Sequence, residues 1–307
     1  MGWFSNEPEI IPIEPDAGNA DVGNQNPASF FCYPLYKIFR EVIHMNVFFY
    51  LEEVRKKQPL VHHLTNWVTI YQCAQVVKSF GASPVMAHAQ EEVCEMASIA
   101  SALVLNIGTL TSDFIESMIK AAIVANKRGI PVVLDVCGAG ATAFRDEMCF
   151  KILDSVKVNI IKGNSSEIAK IAGEDVSTKG VDSGEVGADI FEVTKNLAKR
   201  RDSLVVATGV NDVVTDGGKT LVVKNGHELM SHVVGTGCMA TSVIGTFAGA
   251  APSNLLEATA AGLCCFEIAS ELVAKKGAGP GTYIPMLFDE IFKLDENSLV
   301  SMKRIEQ

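Results

Sequence analysis

Two glycines flank a hydroxyl and precede a thiol in Gly235-Thr236-Gly237-Cys238, just ahead of the small-residue run Met239-Ala240-Thr241-Ser242. Glycine lets successive backbone N–H groups turn toward one point, and a helix that follows adds the positive end of its dipole. The spacing predicts an anion hole that needs no Lys or Arg; the plainer alternative is a tight turn into a closely packed helix. Cys238 falls in the first helical turn, where a thiol pKa is typically lowered. It is a candidate base or nucleophile, and otherwise a small packing residue. A second segment, Lys162-Gly163-Asn164-Ser165-Ser166-Glu167, follows an apolar run and opens a helical one. Asn164 and Glu167 share a helix face at i, i+3. Glu167 suits a hard cation held partly through water, as Mg²⁺ prefers. The alternative is a capping box, with Asn164 as N-cap and Glu167 at N3.

Other segments carry weaker chemistry. Gly218-Lys219-Thr220 looks like the tail of a P-loop, but Val213 stands where the first glycine is required and a strand follows; a hairpin turn is expected. Gly138-Ala139-Gly140-Ala141 resembles part of a dinucleotide fingerprint, yet position 143 is Ala143. A loop whose backbone approaches a ligand is the stronger reading. His62 and His63 are neighbours, so a strand would point them to opposite faces, and no Cys, Asp or Glu lies at zinc spacing beside them. Met86, after Gly81-Ala82-Ser83-Pro84, reads by itself as core.

The elements that must position these residues alternate. Helical patterns are predicted over 65–80, 91–102, 112–127, 165–172, 187–199, 236–250, 254–275 and 286–292. Apolar strands are predicted at 103–106, 131–135, 158–161 and 204–208. A pair near Val213-Val214 and Leu221-Val222-Val223 is joined by the turn Asp216-Gly217-Gly218. Continuous apolar strands between helices imply a mostly parallel central sheet with helices on both faces, an α/β fold. Ligands then sit beyond the carboxyl ends of the strands, and Asp135, Lys162 and Thr208 each lie at or just past such an end.

The 307 residues carry 36 acids against 26 basic side chains, a net charge of -10. That balance argues against nucleic-acid and membrane-surface partners, which call for a basic face. The apolar share of 48% supports a sizeable core. No apolar run approaches a spanning length, and the acidic start (Glu7, Glu9, Glu14, Asp16) lacks the pattern of a signal peptide. Asn6 stands where myristoylation wants Ser or Thr. Eight cysteines without a C-x-x-C pair read as reduced thiols of a cytoplasmic protein. Residues 1–28 are expected to be a disordered tail. The stretch 29–51 could be an appended helix, a partner-binding segment or an upstream extension. The domain proper is expected over 52–307.

Taken in order, seven segments resemble one family: Val61-His62-His63-Leu64-Thr65-Asn66, Gly81-Ala82-Ser83-Pro84-Val85-Met86, Asn106-Ile107-Gly108-Thr109-Leu110, Gly163-Asn164-Ser165-Ser166-Glu167, Thr208-Gly209 with Val214-Thr215-Asp216-Gly217, Val233-Val234-Gly235-Thr236-Gly237-Cys238, and Gly279-Pro280-Gly281-Thr282. The chain is similar, over about 52–293, to hydroxyethylthiazole kinases of the ribokinase-like superfamily. The resemblance implies transfer of the γ-phosphoryl of ATP, with Mg²⁺, to the alcohol of 4-methyl-5-(2-hydroxyethyl)thiazole in thiamine salvage. It implies Met86, Gly235 and Asn66 on the thiazole substrate, and Lys162, Thr208, Thr236 and Gly237 on ATP. Cys238 falls where related kinases place a catalytic Asp, and Asp135 and Glu167 are the candidates for the magnesium side. It also implies a homotrimer with sites between subunits.

Two positions depart from the family pattern. Lys162 stands where Arg is usual, which keeps the charge and loses the bidentate fork. Val136-Cys137 replaces the usual Pro-Val after the aspartate. The competing readings are another ribokinase-fold kinase, of hydroxymethylpyrimidine or pyridoxal type, and a thiazole- or nucleotide-binding regulator without catalysis.

Overall fold

The computed structural model describes residues 45–174 and 189–307. The tail expected over 1–28, and most of the apolar stretch that follows it, lie outside the described residues. The chain order is α1 (Val47–Lys57), β1 (Leu60–Leu64), α2 (Ile70–Ser79), β2 (Ser83–Val85), α3 (Val93–Ile99), β3 (Ala102–Asn106), α4 (Ser112–Arg128), β4 (Val132–Asp135) and α5 (Ala143–Ser155). Then come β5 (Ile160–Asn164), α6 (Ser165–Ala172), α7 (Ile190–Arg201), β6 (Leu204–Thr208), β7 (Asp212–Thr215), β8 (Thr220–Val223), α8 (Thr236–Ala250), α9 (Leu255–Lys275), α10 (Pro280–Lys293), α11 (Glu296–Met302) and β9 (Ile305–Glu306).

The strands form one sheet in the order β2-β1-β3-β4-β5-β6-β7-β8-β9. The first six are parallel and the last three antiparallel. The turn at Asp216-Gly217-Gly218 joins β7 to β8 as a hairpin, as expected. Alternation along each strand divides the core in two. Val104, Val133, Ile160 and Val206 pack on the side that holds α1, α2, α8, α9 and α10. Leu103, Leu105, Leu134 and Ile161 pack on the side that holds α4, α5 and α6.

The register then aligns polar ends. Asn106 pairs with Asp135, Asp135 with Lys162, and Asn164 with Thr208. By parity with Val104, Val133 and Ile160, the side chains of Asn106, Asp135 and Lys162 all face α8. That helix is buried almost all round, as a helix between a sheet and a second helical layer must be. It lies close because its glycines allow it: a Cβ on Gly245 would come within 2.3 Å of Val104 Cγ2. Close approach brings its N-terminus over the ends of β3, β4 and β5.

Several expected elements differ. The helix expected from Thr65-Asn66 begins at Ile70, because Asn66 turns inward and its Oδ1 accepts from Thr69 N at 3.2 Å. The helix expected over 286–292 starts at Pro280, a residue well suited to the first helical position. Helix α5 had no counterpart among the expected helices. The boundary expected at residue 52 falls inside α1, whose Val47, Tyr50, Leu51 and Val54 are buried. Among the described residues no helix is long and apolar enough to cross a membrane.

Candidate active site

Asp135 ends β4 and is buried, with 1% of its surface exposed. Its Oδ2 accepts from Thr241 Oγ1 at 2.6 Å, Asn106 Nδ2 at 2.9 Å and Lys162 Nζ at 3.4 Å. Its Oδ1 is buried and has no partner. Lys162, in the middle of β5, also donates to the Gly237 carbonyl at 3.1 Å. Burial alone would lower the Lys162 pKa, but the charges of Asp135 and then Glu167 outweigh it and hold the ammonium above its usual range.

Cys238 sits in the first turn of α8 and is hydrogen-bonded rather than merely packed. Asn66 Nδ2 reaches its Sγ at 3.1 Å and Asn106 Nδ2 at 3.4 Å. The Cys137 thiol also bonds it, and that bond is the largest influence pulling the Cys238 pKa down, against burial and the charge of Asp135. Cys137 is pushed up in turn. Asn66 is itself fixed, since its Nδ2 also donates to Asn106 Oδ1 at 3.0 Å.

The glycine turn matches its expected shape. Gly235 is the N-cap of α8 with φ 97°, a left-handed conformation that strains any residue with a side chain. A Cβ there would also lie 2.7 Å from Thr69 Cγ2. Met239 N is bonded back to Gly235 O. The N–H groups of Thr236, Gly237 and Cys238 open α8, the place where a helix leaves its usual orphan donors. The first turn of α8, with its dipole end, stands beside a buried lysine.

Of the two readings of Glu167, the capping box is the one the structure displays. The capping box is complete, with Asn164 Oδ1 accepting from Glu167 N at 2.9 Å and Glu167 Oε2 from Asn164 N at 2.7 Å. Its Oε1 accepts from Gly138 N at 2.6 Å, which ties the Gly138-Ala139-Gly140 loop to α6. Burial, and then the charge of Asp135, raise the Glu167 pKa. Among the described residues no group of three or more His, Cys, Asp or Glu could hold a metal by itself. The donors present nonetheless fit a magnesium ion that keeps waters and phosphate oxygens. One buried carboxylate oxygen lacks a partner, and two buried carboxylates face a single lysine.

The structure brings Asn66, Asp135, Lys162, Gly237 and Cys238 into one connected network, with Glu167 at its edge. Thr208 stands one strand further, its Oγ1 donating to Gly163 O at 3.2 Å. Met86 follows the opposite edge strand, half-buried, and makes no hydrogen bond into the network. Sequence reasoning missed Asn106 and Thr241 as site residues. It also missed Arg145, whose guanidinium bonds the carbonyls of Ile107, Gly108 and Cys137 and holds the loops after β3 and β4 together. The place of Asn106 at a strand end was the available signal. A cavity of about 420 Å³ opens at the other end of the strands, beside Asn159, Leu204 and Asn254. Its Lys157 and Lys219 are already paired with Asp202 and Glu257, so they do not converge on a ligand.

A parallel sheet with an anion-ready helix start and a buried carboxylate over its ends is the architecture of the ribokinase-like class. A ribokinase-like superfamily protein from Enterococcus faecalis V583 shares that fold, with a TM-score of 0.56 at 13% identity. It covers 80% of this chain and 89% of its own. More narrowly, the chain belongs to the hydroxyethylthiazole kinase family, whose model matches residues 51–297. The hydroxyethylthiazole kinase of Methanosarcina mazei is 56% identical over 84% of this chain and 98% of its own length. That of Thermoanaerobacter pseudethanolicus is 46% identical over 83% and 97%. The solved hydroxyethylthiazole kinase of Pyrococcus horikoshii OT3 superposes with a TM-score of 0.77 at 38% identity, covering 85% of this chain and 98% of that one.

Proposed function

We propose that the chain transfers the γ-phosphoryl of ATP, with Mg²⁺, to the hydroxyl of 4-methyl-5-(2-hydroxyethyl)thiazole, in the cytoplasm and in the service of thiamine salvage. The observation that carries this reading is the layout across the carboxyl ends of the parallel strands. The strand order puts the expected thiazole residues, Met86 and Asn66, on the β2–β1 side. It puts the expected nucleotide residues, Lys162 and Thr208, on the β5–β6 side. Between them lie Asp135, Cys238 and the amides of the glycine turn. A phosphoryl group passing from nucleotide to alcohol crosses that middle.

Phosphoryl transfer asks the protein mainly to position groups and to offset charge. The Thr236, Gly237 and Cys238 amides, with the dipole of α8, hold the transferring phosphoryl oxygens. Lys162 offsets charge on the leaving phosphates. Cys238, oriented by Asn66 and Asn106, accepts a hydrogen bond from the substrate hydroxyl and withdraws its proton as charge develops. Asp135 directly, and Glu167 through water, would hold the magnesium ion, which when bound neutralises phosphate charge. A loose transition state leaves little for a base to do, so a thiol is adequate where relatives place a carboxylate.

The assembly proposed is a homotrimer with sites between subunits, as the family resemblance implies. Exposed Val68 and Tyr71 beside Asn66, and Val234 beside Gly235, give apolar surface for it. Light scattering on the full chain checks this, and a monomer at all concentrations refutes it.

The deciding experiment is coupled ADP release with the thiazole alcohol, ATP and Mg²⁺, alongside hydroxymethylpyrimidine and pyridoxal. ADP with the thiazole alcohol foremost is expected. ADP only with either competitor overturns the substrate, and tight thiazole binding without ADP points to a regulator.

A further inference from the structure

Asp135 is held by one oxygen only. Three donors converge on Oδ2, and the two neutral ones come from different elements: Asn106 from β3 and Thr241 from α8. A carboxylate turns readily about its terminal bond. Donors fixed on two packed elements stop that turning and decide which oxygen is left open. The open one, Oδ1, is buried and unpartnered. Lys162 is a weaker constraint, at 3.4 Å and shared with Gly237 O.

Of the two neutral donors, Thr241 is the more diagnostic. Its side chain is fully buried, and it has an ordinary alternative as a mid-helix threonine, back-bonding the Gly237 carbonyl. A hydroxyl has one proton. The distances, 2.6 Å to the carboxylate against 3.2 Å to the carbonyl, give that proton to Asp135. Hydrogen bonds to a charged acceptor are shorter and stronger than neutral ones, consistent with that choice.

We propose that Thr241 is a positioning residue for the phosphoryl-transfer site: its hydroxyl locks Asp135 so that Oδ1 faces the divalent cation of the nucleotide complex. This rests on the kinase reading above. The residue touches neither alcohol nor nucleotide and acts only through Asp135. Groups that orient a metal-binding side chain typically change metal affinity or activity by about 10- to 100-fold when removed.

The test uses the full chain as wild type, Thr241→Val and Thr241→Ser. Binding of Mn²⁺, standing in for Mg²⁺, is followed by electron paramagnetic resonance with a non-transferable ATP analogue present. Half-saturating Mg²⁺, kcat and the alcohol KM are measured in parallel. In the valine variant, half-saturation by Mn²⁺ should rise on the order of 10-fold or more. Half-saturating Mg²⁺ should rise with it and kcat should fall, with the alcohol KM within about twofold of wild type. Serine should restore all of them. If the valine chain does not fold, as judged by its melting curve, Thr241→Ala removes the same hydroxyl with a better helix former. Unchanged Mn²⁺ binding in the hydroxyl-free variant overturns the proposal, even in a fully active kinase. So does a wild type that binds no Mn²⁺, or an effect confined to the alcohol KM. A wild type that makes no ADP yet shows the Thr241-dependent Mn²⁺ binding removes the kinase reading and leaves the positioning role standing.

Discussion

At the scale of single residues, Cys238 is the sharpest case. Asn66 and Asn106 both donate to its sulfur, an arrangement that favours a hydrogen-bond acceptor over an inert packing thiol. Under the proposed reading, Cys238→Ala loses kcat on the order of 100-fold, the low end for a positioned base. Cys238→Asp keeps an acceptor at the same place and retains activity. Steady-state assays of both variants decide the matter: full kcat in the alanine variant, or complete loss in the aspartate one, removes that role. Asp135, Lys162 and Thr208 were legible from sequence because each lies at or just past the end of an apolar run, where ligands gather in α/β sheets; β5 itself continues two residues beyond Lys162. Asn106 and Thr241 were not assigned a role. A neutral polar side chain carries no chemistry of its own; its meaning appears only when the register sets Asn106 beside Asp135 and α8 brings Thr241 across from 106 residues further along the chain.

At the scale of elements, the strands with continuous apolar runs were readable and the polar ones were not. β1 carries His62 and His63 and escaped notice as a strand, although alternation correctly set its two imidazoles on opposite faces. Helix α5 was missed because exposed Phe144 and half-buried Phe150 lie off the stripe made by Met148, Cys149, Ile152 and Leu153, blurring its period. Pro285 similarly hid the first half of α10. The cost of burying polar residues in β1 has a consequence in acid. His63 Nδ1 donates to Val61 O at 3.0 Å, while its Nε2 is buried without a partner. Burial lowers its pKa from 6.5 to about 4. The unfolded chain therefore takes up the proton first as pH falls. The stability due to neutral His63 is complete above about pH 6.5 and is lost progressively down to about pH 4, a span worth about 3 kcal/mol. His63→Asn keeps a donor near the Nδ1 position and does not titrate. Urea midpoints measured from pH 7.5 to 4.5 should fall less steeply in that variant than in wild type; parallel curves would contradict the assignment.

At the scale of the whole molecule, the acidic balance and the nucleotide are compatible because the positive field is local. Under the proposed reading one buried lysine, the amides of the glycine turn and a helix dipole serve the site, and none of them needs a basic surface. The same close packing sets where the folding unit must begin. Family likeness starts near residue 51, yet α1 starts at Val47 and lays Val47, Tyr50, Leu51 and Val54 into the core shared with α8 and α9. Met45 joins that core, and its carbonyl accepts from Lys303 at 2.9 Å, tying the start of the described chain to its end. A chain cut to begin at residue 52 loses four buried apolar side chains: Met45, Val47, Tyr50 and Leu51. At about 1.5–3 kcal/mol each, this removes on the order of 5 kcal/mol or more. Whole domains are stable by only about 5–15 kcal/mol. A chain beginning at residue 45 keeps all four. Differential scanning calorimetry should place the melting point of the shorter chain about 10 °C or more below that of the longer one. Equal melting points would show that the first turns of α1 contribute nothing to the core they enter.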